Sequence, residues 1–290
     1  MVWRTRFALV TAAVVLLLSF PAQSQTLYVA TGSGGVTGNL YTVDPTTAAA
    51  TVVGPILAGG LPIAMTGLAF DPTTNILYGI TSNNSPNIAR HLVTINPATG
   101  LATDIGALGI GGADIAFDAA GNLYMSSGNA TNLYSVNKAT GVATVIGATG
   151  TGNGGSGLAI NAGGTAFFAG NGDHGALATL NLATGAATLG ATLTGAPNNG
   201  GIDSMKFSST GVLFGVDNNN SPVNNLVTIN TATGAVTNIG ALPASIDGMA
   251  FGAGGLPGTG AVPTLGEWAL IAMALLLGGT GFVAMRRGTA

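Results

Sequence analysis

The chain has 290 residues, of which 48 are glycine, none is cysteine and only 6% are charged. This composition excludes a disordered polyelectrolyte, a disulfide framework and a thiolate metal site. The formal net charge of −3 argues against a nucleic-acid partner, because DNA and RNA are bound by basic surfaces. Many Thr, Val and Gly residues with few helix formers favour an all-β protein that is rich in turns.

The first 24 residues have the pattern of a secretory signal peptide. Two arginines precede an apolar run over residues 7–20, and Ala22 and Ser24 are the small residues before the predicted cleavage point. We therefore expect residues 1–24 to be removed on export. The alternative is an uncleaved anchor, which the short run and the good cleavage site disfavour.

One phrase recurs five times in the body of the chain, residues 25–251. The copies are LYTVDPTTA at 40–48, LVTINPATG at 92–100, LYSVNKATG at 133–141, LATLNLATG at 177–185 and LVTINTATG at 226–234. Each copy predicts a strand that ends in Asp or Asn, followed by a hairpin turn that a left-handed Gly closes. The first copy has Ala48 in the Gly position, where it predicts local strain.

Three further apolar segments accompany each phrase, so that each unit carries four short antiparallel strands. A period of 41–52 residues with four strands is typical of a β-propeller blade. The segment TLYVAT at 26–31 lacks a preceding strand, and DGMAF at 247–251 lacks a following one. We therefore predict a five-bladed propeller of four-stranded blades over residues 25–251, closed by pairing of its first and last strands.

The body resembles secreted bacterial propellers with repeats of the form YxIDPxTG…GLAFDPxGxLYG, as in "LVTINPATG" and "TGLAFDPTTNILYG". The resemblance covers nearly all of residues 26–251 and implies a propeller fold, but no particular ligand. The GH…WD pattern of WD-repeat propellers does not occur in the sequence.

The C-terminal region has three parts. A Gly-rich linker occupies residues 252–261, VPTLGEW follows at 262–268, and an apolar run at 269–285 precedes Arg286 and Arg287. The 17-residue run predicts a transmembrane helix near the lower length limit. We expect the two arginines on the cytoplasmic side and Trp268 at the outer interface.

The same order of short motif, apolar helix and basic end resembles the IPTL-CTERM sorting signal, whose motif is I-P-T-L-x-x-W-G. The matching residues are Pro263, Thr264, Leu265 and Trp268, while Val262 stands for Ile and Ala269 for Gly. The resemblance implies that residues 262–290 form a sorting signal that sits transiently in the inner membrane of a Gram-negative bacterium. An exosortase-type sorting protease would then release the protein to the cell surface or the medium. A permanent membrane anchor is the alternative.

The body offers few groups for chemistry, since it has no Cys, Glu or Trp and its histidines are His91 and His174. Five residues occupy one position of the strand predicted to be innermost in each blade: Thr66, Ala113, Ser156, Asp203 and Asp247. Asp203 and Asp247 are thus expected on neighbouring blades near the mouth of the channel. Asp114 and Lys206 are expected to point to the other side of their strands.

Loops on the same face contribute Asp217 and Asp173, so that four aspartates form the predicted ligand face. Their oxygen atoms suit Ca²⁺ or sugar hydroxyls, with Asp203 and Asp247 as the candidate calcium ligands. The alternative is that these side chains cap strand ends and turns.

We therefore expect a non-enzymatic surface protein that acts in binding, adhesion or matrix formation, with an unidentified surface ligand and no cofactor other than calcium. The alternative function is that of a secreted hydrolase or lactonase, which would use the Asp-lined channel and a divalent cation. The two hypotheses differ in whether the channel must hold a metal ion tightly.

Overall fold

The computed structural model describes residues 25–128, 132–151, 156–170, 175–198, 201–218 and 223–252. The predicted signal peptide, the sorting motif and the predicted helix at 269–285 lie outside these ranges, as does the linker beyond residue 252. Among the residues within them, no helix is long and apolar enough to cross a membrane.

The described residues form 22 strands and one short 3-10 turn, Ser33–Gly35. In chain order the strands are β1 (Leu27–Thr31), β2 (Asn39–Val43), β3 (Ala50–Pro55), β4 (Leu57–Ala58), β5 (Leu61–Pro62), β6 (Met65–Phe70), β7 (Leu77–Thr81), β8 (His91–Ile95), β9 (Leu101–Ala107), β10 (Gly112–Phe117), β11 (Leu123–Ser127), β12 (Asn132–Val136), β13 (Ala143–Ala148), β14 (Ser156–Ile160), β15 (Ala166–Gly170), β16 (Ala176–Leu180), β17 (Ala187–Thr192), β18 (Ile202–Phe207), β19 (Leu213–Asp217), β20 (Asn225–Ile229), β21 (Val236–Ala241) and β22 (Ile246–Phe251).

These strands build five sheets, which are the five blades of a propeller. From the axis outward, blade 1 is β22-β1-β2-β3, blade 2 is β6-β7-β8-β9, blade 3 is β10 to β13, blade 4 is β14 to β17 and blade 5 is β18 to β21. The first strands of the blades pack against one another around the axis. The predicted five-bladed propeller of four-stranded blades is confirmed.

The ring closes where the N-terminal strand joins the last strand of the repeat. β1 pairs antiparallel with β22, with Leu27 opposite Phe251 and Val29 opposite Met249. The backbone N–H of Gly252 continues this pairing by donating to the carbonyl of Thr26 at 2.8 Å. Closure gives β22 an outer partner and completes the fourth strand of blade 1, as the sequence predicted.

Blade 2 carries an additional hairpin that the sequence analysis did not predict. β4 pairs antiparallel with β5 and parallel with β9, the outermost strand of the blade. Gly59 and Gly60 form the turn with positive φ, and Ile56 and Ile63 at its base are fully buried. Burial of these two side chains holds the hairpin against the body of the blade.

The recurring phrase forms the turn between the third and fourth strands of each blade. In every copy the Asp or Asn side chain accepts a hydrogen bond, at 2.8–3.0 Å, from the backbone N–H two residues later. The residues that close the turns all have positive φ: Ala48 (60°), Gly100 (80°), Gly141 (79°), Gly185 (78°) and Gly234 (73°). The predicted left-handed position is therefore present in all five turns, including the one occupied by alanine.

Neighbouring blades touch closely at these turns. A Cβ atom at Gly141 would lie 2.3 Å from the carbonyl oxygen of Gly106 in the preceding blade, so only glycine fits there. The junction between blades 5 and 1 is wider, since a Cβ at Gly240 would lie 3.0 Å from the oxygen of Thr47. Ala48 fits at this junction, and burial of its methyl group, which is 2% exposed, offsets part of the strain.

Aromatic pairs join the blades nearer the axis, and in each pair a residue at the end of an innermost strand packs on the second strand of the preceding blade. The pairs and their ring-centroid distances are Tyr28–Phe70 (5.6 Å), Tyr78–Phe117 (5.4 Å), Phe167–Phe207 (5.4 Å) and Phe214–Phe251 (5.2 Å). At the remaining junction Tyr124 and Ile160 pack into one apolar cluster. Such pairs stabilise a contact by ~0.5–1.5 kcal/mol beyond the area that they bury.

We expect Gly141→Ala to destabilise the protein far more than Gly164→Ala, although both glycines have positive φ, 79° and 83°. A Cβ at Gly164 would meet no atom within 4 Å, so this variant carries backbone strain alone, about 1 kcal/mol. Gly141→Ala adds the clash with the neighbouring blade and should cost roughly 3 kcal/mol in total. Urea denaturation measures both losses, and equal losses would contradict the close approach of the blades.

Candidate functional site

Four of the five innermost strands contain a β-bulge near their first residues, and β14 is the exception. In β6, β18 and β22 the register shift inserts Thr66, Asp203 and Asp247 as the extra residue, and in β10 two residues, Ala113 and Asp114, lie opposite one. The extra residue of a bulge turns out of the regular alternation of the strand. Thr66, Ala113, Asp203 and Asp247 are partly exposed between buried neighbours on the strands that surround the axis.

Asp203 and Asp247 come together at this end of the axis, on the adjacent strands β18 and β22. Burial raises the pKa of Asp247 well above its usual value, and the negative charges of Asp203 and Asp114 raise it further. The surroundings of Asp247 thus favour its neutral, protonated form, and the charged form needs a nearby cation to compensate it. Within the described ranges, no group of three or more His, Cys, Asp or Glu is arranged to hold a metal ion.

Asp217 has a different environment at the end of β19. Its side chain is fully buried, and its Oδ2 atom accepts a hydrogen bond from the backbone N–H of Asn198 at 2.8 Å. The amide of Asn198 in turn donates to the carbonyls of Asp217 and Val223, both at 2.9 Å. Burial raises the pKa of Asp217, and the bond from Asn198 opposes this rise. In these contacts Asp217 connects loops at the rim.

Of the remaining candidates of the sequence analysis, only His91 is among the described residues. Asp173 and His174 lie outside the described residues. His91 begins β8, and its Nδ1 atom lies 2.8 Å from Oδ1 of Asp104 on β9. This pair belongs to the outer part of blade 2, so His91 is not near the axis.

A buried ion pair occupies the middle of the axis, and the sequence analysis did not predict it. Nζ of Lys206 on β18 lies 2.9 Å from Oδ1 and 2.8 Å from Oδ2 of Asp114 on β10. Asp114 is fully buried and the Lys206 side chain is 10% exposed. The sequence analysis expected both residues on the side of their strands opposite to Asp203, and alternation alone did not indicate that they meet.

Backbone and hydroxyl groups from three blades complete this network. Oδ2 of Asp114 accepts hydrogen bonds from Leu158 N (3.0 Å), Met205 N (3.1 Å) and Ser204 Oγ (3.1 Å), and Oδ1 accepts one from Ile115 N (2.9 Å). Burial raises the pKa of Asp114, while the Lys206 ammonium and these N–H groups oppose the rise. Burial likewise lowers the pKa of Lys206, against the attraction of Asp114.

The opposite end of the axis is an apolar cavity of about 320 Å³. Its walls are the residues that end the five innermost strands: Phe70, Phe117, Ile160, Phe207 and Phe251. Lys206 also lines this cavity, and Gln25 stands at its edge. Along the axis the molecule therefore has a carboxylate end, a central ion pair and an aromatic end.

Comparison with known proteins gives two family matches. A family described as a repeat of unknown function (DUF6923) matches residues 28–199, which is more than half of the chain. The IPTL-CTERM motif matches residues 261–287. These matches confirm a sorting-signal protein with a propeller-repeat body. None of the curated proteins matches the chain.

Several solved structures are similar in fold. A chain of a nidogen/laminin complex is 14% identical with a TM-score of 0.54, and the match covers 79% of this chain and 99% of that one. A Bacteroides thetaiotaomicron protein of unknown function is 16% identical with a TM-score of 0.49, and covers 66% of this chain and 53% of its own. Kuenenia stuttgartiensis hydrazine synthase is 16% identical, with a TM-score of 0.43 and coverages of 60% and 48%. At 14% identity the first similarity shows the fold alone.

We expect Asp247→Asn to stabilise the protein at pH 7 and to have little effect near pH 4. The raised pKa of Asp247 means that the folded protein binds its proton more tightly than the unfolded chain does. Stability therefore falls as the pH rises through the unfolded pKa, about 3.9, towards the folded one, and it stays lower above that. The amide removes this loss and should raise the Tm at pH 7 by roughly 2–4 °C.

Asp203→Asn should also raise the Tm at pH 7, because removal of either carboxylate ends their mutual repulsion. The double variant should raise the Tm by less than the sum of the two single variants. Asp104→Asn is the control on an exposed carboxylate outside the channel and should change stability by less than about 0.5 kcal/mol. Thermal melts over the pH range measure these effects. A lower Tm for Asp247→Asn at pH 7 would show that the charged form is favoured.

Proposed function

We infer a surface function from two facts: the chain belongs to the DUF6923 repeat family, and its C-terminal region carries an IPTL-CTERM motif. The protein is proposed to be exported by its signal peptide at residues 1–24 and held in the inner membrane by residues 269–285. An exosortase-type protease then releases the propeller, residues 25–251, from its sorting tail at 262–290. The match at 261–287 is the observation on which this proposal chiefly rests.

The geometry of the chain ends supports an orientation for the anchored form. Gln25 lines the aromatic cavity, and Gly252 bonds to Thr26 and lies beside the Phe70 ring, so both ends of the propeller leave at the aromatic end of the axis. The ten-residue linker at 252–261 has a root-mean-square reach of roughly 16–19 Å if it is flexible. An inserted tail would thus keep the aromatic end close to the membrane and the carboxylate end facing away.

We propose that the outward carboxylate end is the ligand face and that the protein binds, adheres or builds matrix without catalysis. Asp203 and Asp247 are the proposed central contacts, with Asp217 at the rim; Asp173, the fourth aspartate expected on this face, lies outside the described residues. Their repulsion favours a cationic or hydrogen-bond-donating ligand, and Ca²⁺ is the simplest one. The alternative, a hydrolase or lactonase, needs a tightly held divalent cation at the same place. A measurement of cation binding therefore tests both the calcium site and the enzymatic alternative.

The mature protein from the native host should end near Trp268 and lack Arg286 and Arg287. Pro263→Ala combined with Trp268→Ala should leave the tail attached and the protein in the inner membrane, because the protease no longer recognises its motif. Thr259→Ala in the linker is the matched control and should be processed normally. Intact mass spectrometry measures the C terminus, and tail residues on wild-type surface protein would indicate a permanent anchor instead.

Millimolar Ca²⁺ should raise the Tm of the wild-type protein if the carboxylate end binds the ion, because a ligand of the folded state stabilises it by mass action. Asp203→Asn together with Asp247→Asn should abolish the increase, and Asp104→Asn should keep it. Calorimetric scans with Ca²⁺, Mg²⁺ and chelator make the comparison. An unchanged wild-type melt would remove the metal site and with it the main support of the hydrolase alternative.

A further inference from the structure

We propose that Lys206 and Asp114 form a covalent amide bond, so that the mature propeller carries an internal cross-link between blades 3 and 5. The two side chains are 92 positions apart in sequence, and Nζ lies within 2.9 Å of both carboxylate oxygens. Of the charged residues on the innermost strands, these two are buried, whereas Asp203 and Asp247 are partly exposed. The inference concerns the propeller body and is independent of the sorting tail.

The surroundings of Lys206 direct its nitrogen towards the carboxyl carbon. Nζ donates hydrogen bonds to the carbonyl oxygens of Met205 at 2.7 Å and Leu158 at 3.1 Å. In a neutral amine these two bonds use both N–H groups, and the lone pair then points to the remaining side, where Asp114 stands. A nucleophile held this close to its target reacts with a large advantage over the same groups in free solution.

The surroundings of Asp114 prepare its carboxyl group to accept the attack. Besides the contact with Lys206 Nζ at 2.8 Å, Oδ2 receives three hydrogen bonds, from the backbone N–H groups of Leu158 and Met205 and from the hydroxyl of Ser204, at 3.0–3.1 Å. This arrangement matches the donor set that stabilises the negative oxygen of a tetrahedral intermediate in acyl transfer. Oδ1 has fewer donors, Ile115 N and Lys206 Nζ, and is the oxygen that leaves.

The step balances without any added reagent. The bond between Nζ and Cγ forms, the bond between Cγ and Oδ1 breaks, and two of the three ammonium protons leave with Oδ1 as water. No atom is oxidised or reduced. Lys206 also lines the aromatic cavity, which gives the released water a path out of the core.

Burial favours the product over the ion pair. Two buried charges lose their hydration, and their mutual attraction repays this loss only in part. Burial also lowers the pKa of Lys206 and raises that of Asp114, which favours the neutral amine and acid that react. The amide removes both charges while the same donors and acceptors remain in place. It also gives the chain, which has no cysteine, a covalent link inside the ring.

Intact mass spectrometry of the denatured mature protein tests the proposal directly. The cross-linked chain should be lighter than its sequence by one water molecule, and fragmentation should recover residues around Asp114 joined to residues around Lys206. Acetylation after denaturation should modify Lys138 but not Lys206. Lys138 is the internal control, because it pairs with Asp71 at 2.6 Å but its side chain is 34% exposed to water.

Two variants sharpen the test. Asp114→Asn should form the same amide by releasing ammonia, so its final mass should equal that of the cross-linked wild type. Lys206→Arg places a guanidinium, which is a poor nucleophile, at the same site and should show the full sequence mass. A wild-type chain with its full mass and an acetylated Lys206 would overturn the proposal and leave a simple buried ion pair, whether or not either variant folds.

Discussion

The hydrogen-bonded pairing of β1 with β22 is the interaction on which the rest of the structure depends. It joins residues from the two ends of the repeat region and fixes how many innermost strands surround the axis. With five blades the ring is narrow, so the innermost strands of blades 3 and 5 also touch although blade 4 lies between them. The meeting of β10 and β18 across the axis is a direct consequence of this closure.

Crowding near the axis determines which residues the innermost strands can carry. Gly67 shows the constraint, because a Cβ there would lie 2.9 Å from the Cα of Asp114 in the next blade. Gly157 and Gly248 occupy the same position in two other blades, while blades 3 and 5 have Asp114 and Ser204 there. These exceptions are stable because Asp114 meets a full set of donors and Ser204 Oγ accepts from Met249 N at 3.2 Å. The departures from glycine thus mark the polar centre of the molecule.

The local features of the propeller were predictable from the sequence, whereas the contacts across the axis were not. The turns follow from spacing within one unit, and the same spacing gave Asp203 and Asp247 equivalent positions on neighbouring innermost strands. The β4–β5 hairpin was missed because its strands have only two residues each. The Asp114–Lys206 pair was missed because strand alternation defines a side of the strand but not the distant residue that occupies that side.

The charged groups are distributed unequally along the axis, so the two ends of the propeller differ chemically. Asp203 and Asp247 lie at one end, and the ion pair separates them from the aromatic cavity at the other. Because both ends of the propeller leave beside the cavity, Asp203 and Asp247 lie at the end of the axis that is away from the predicted sorting tail. If the proposed protease releases the tail, the surroundings of the aromatic end change, while the residues of the carboxylate end stay the same.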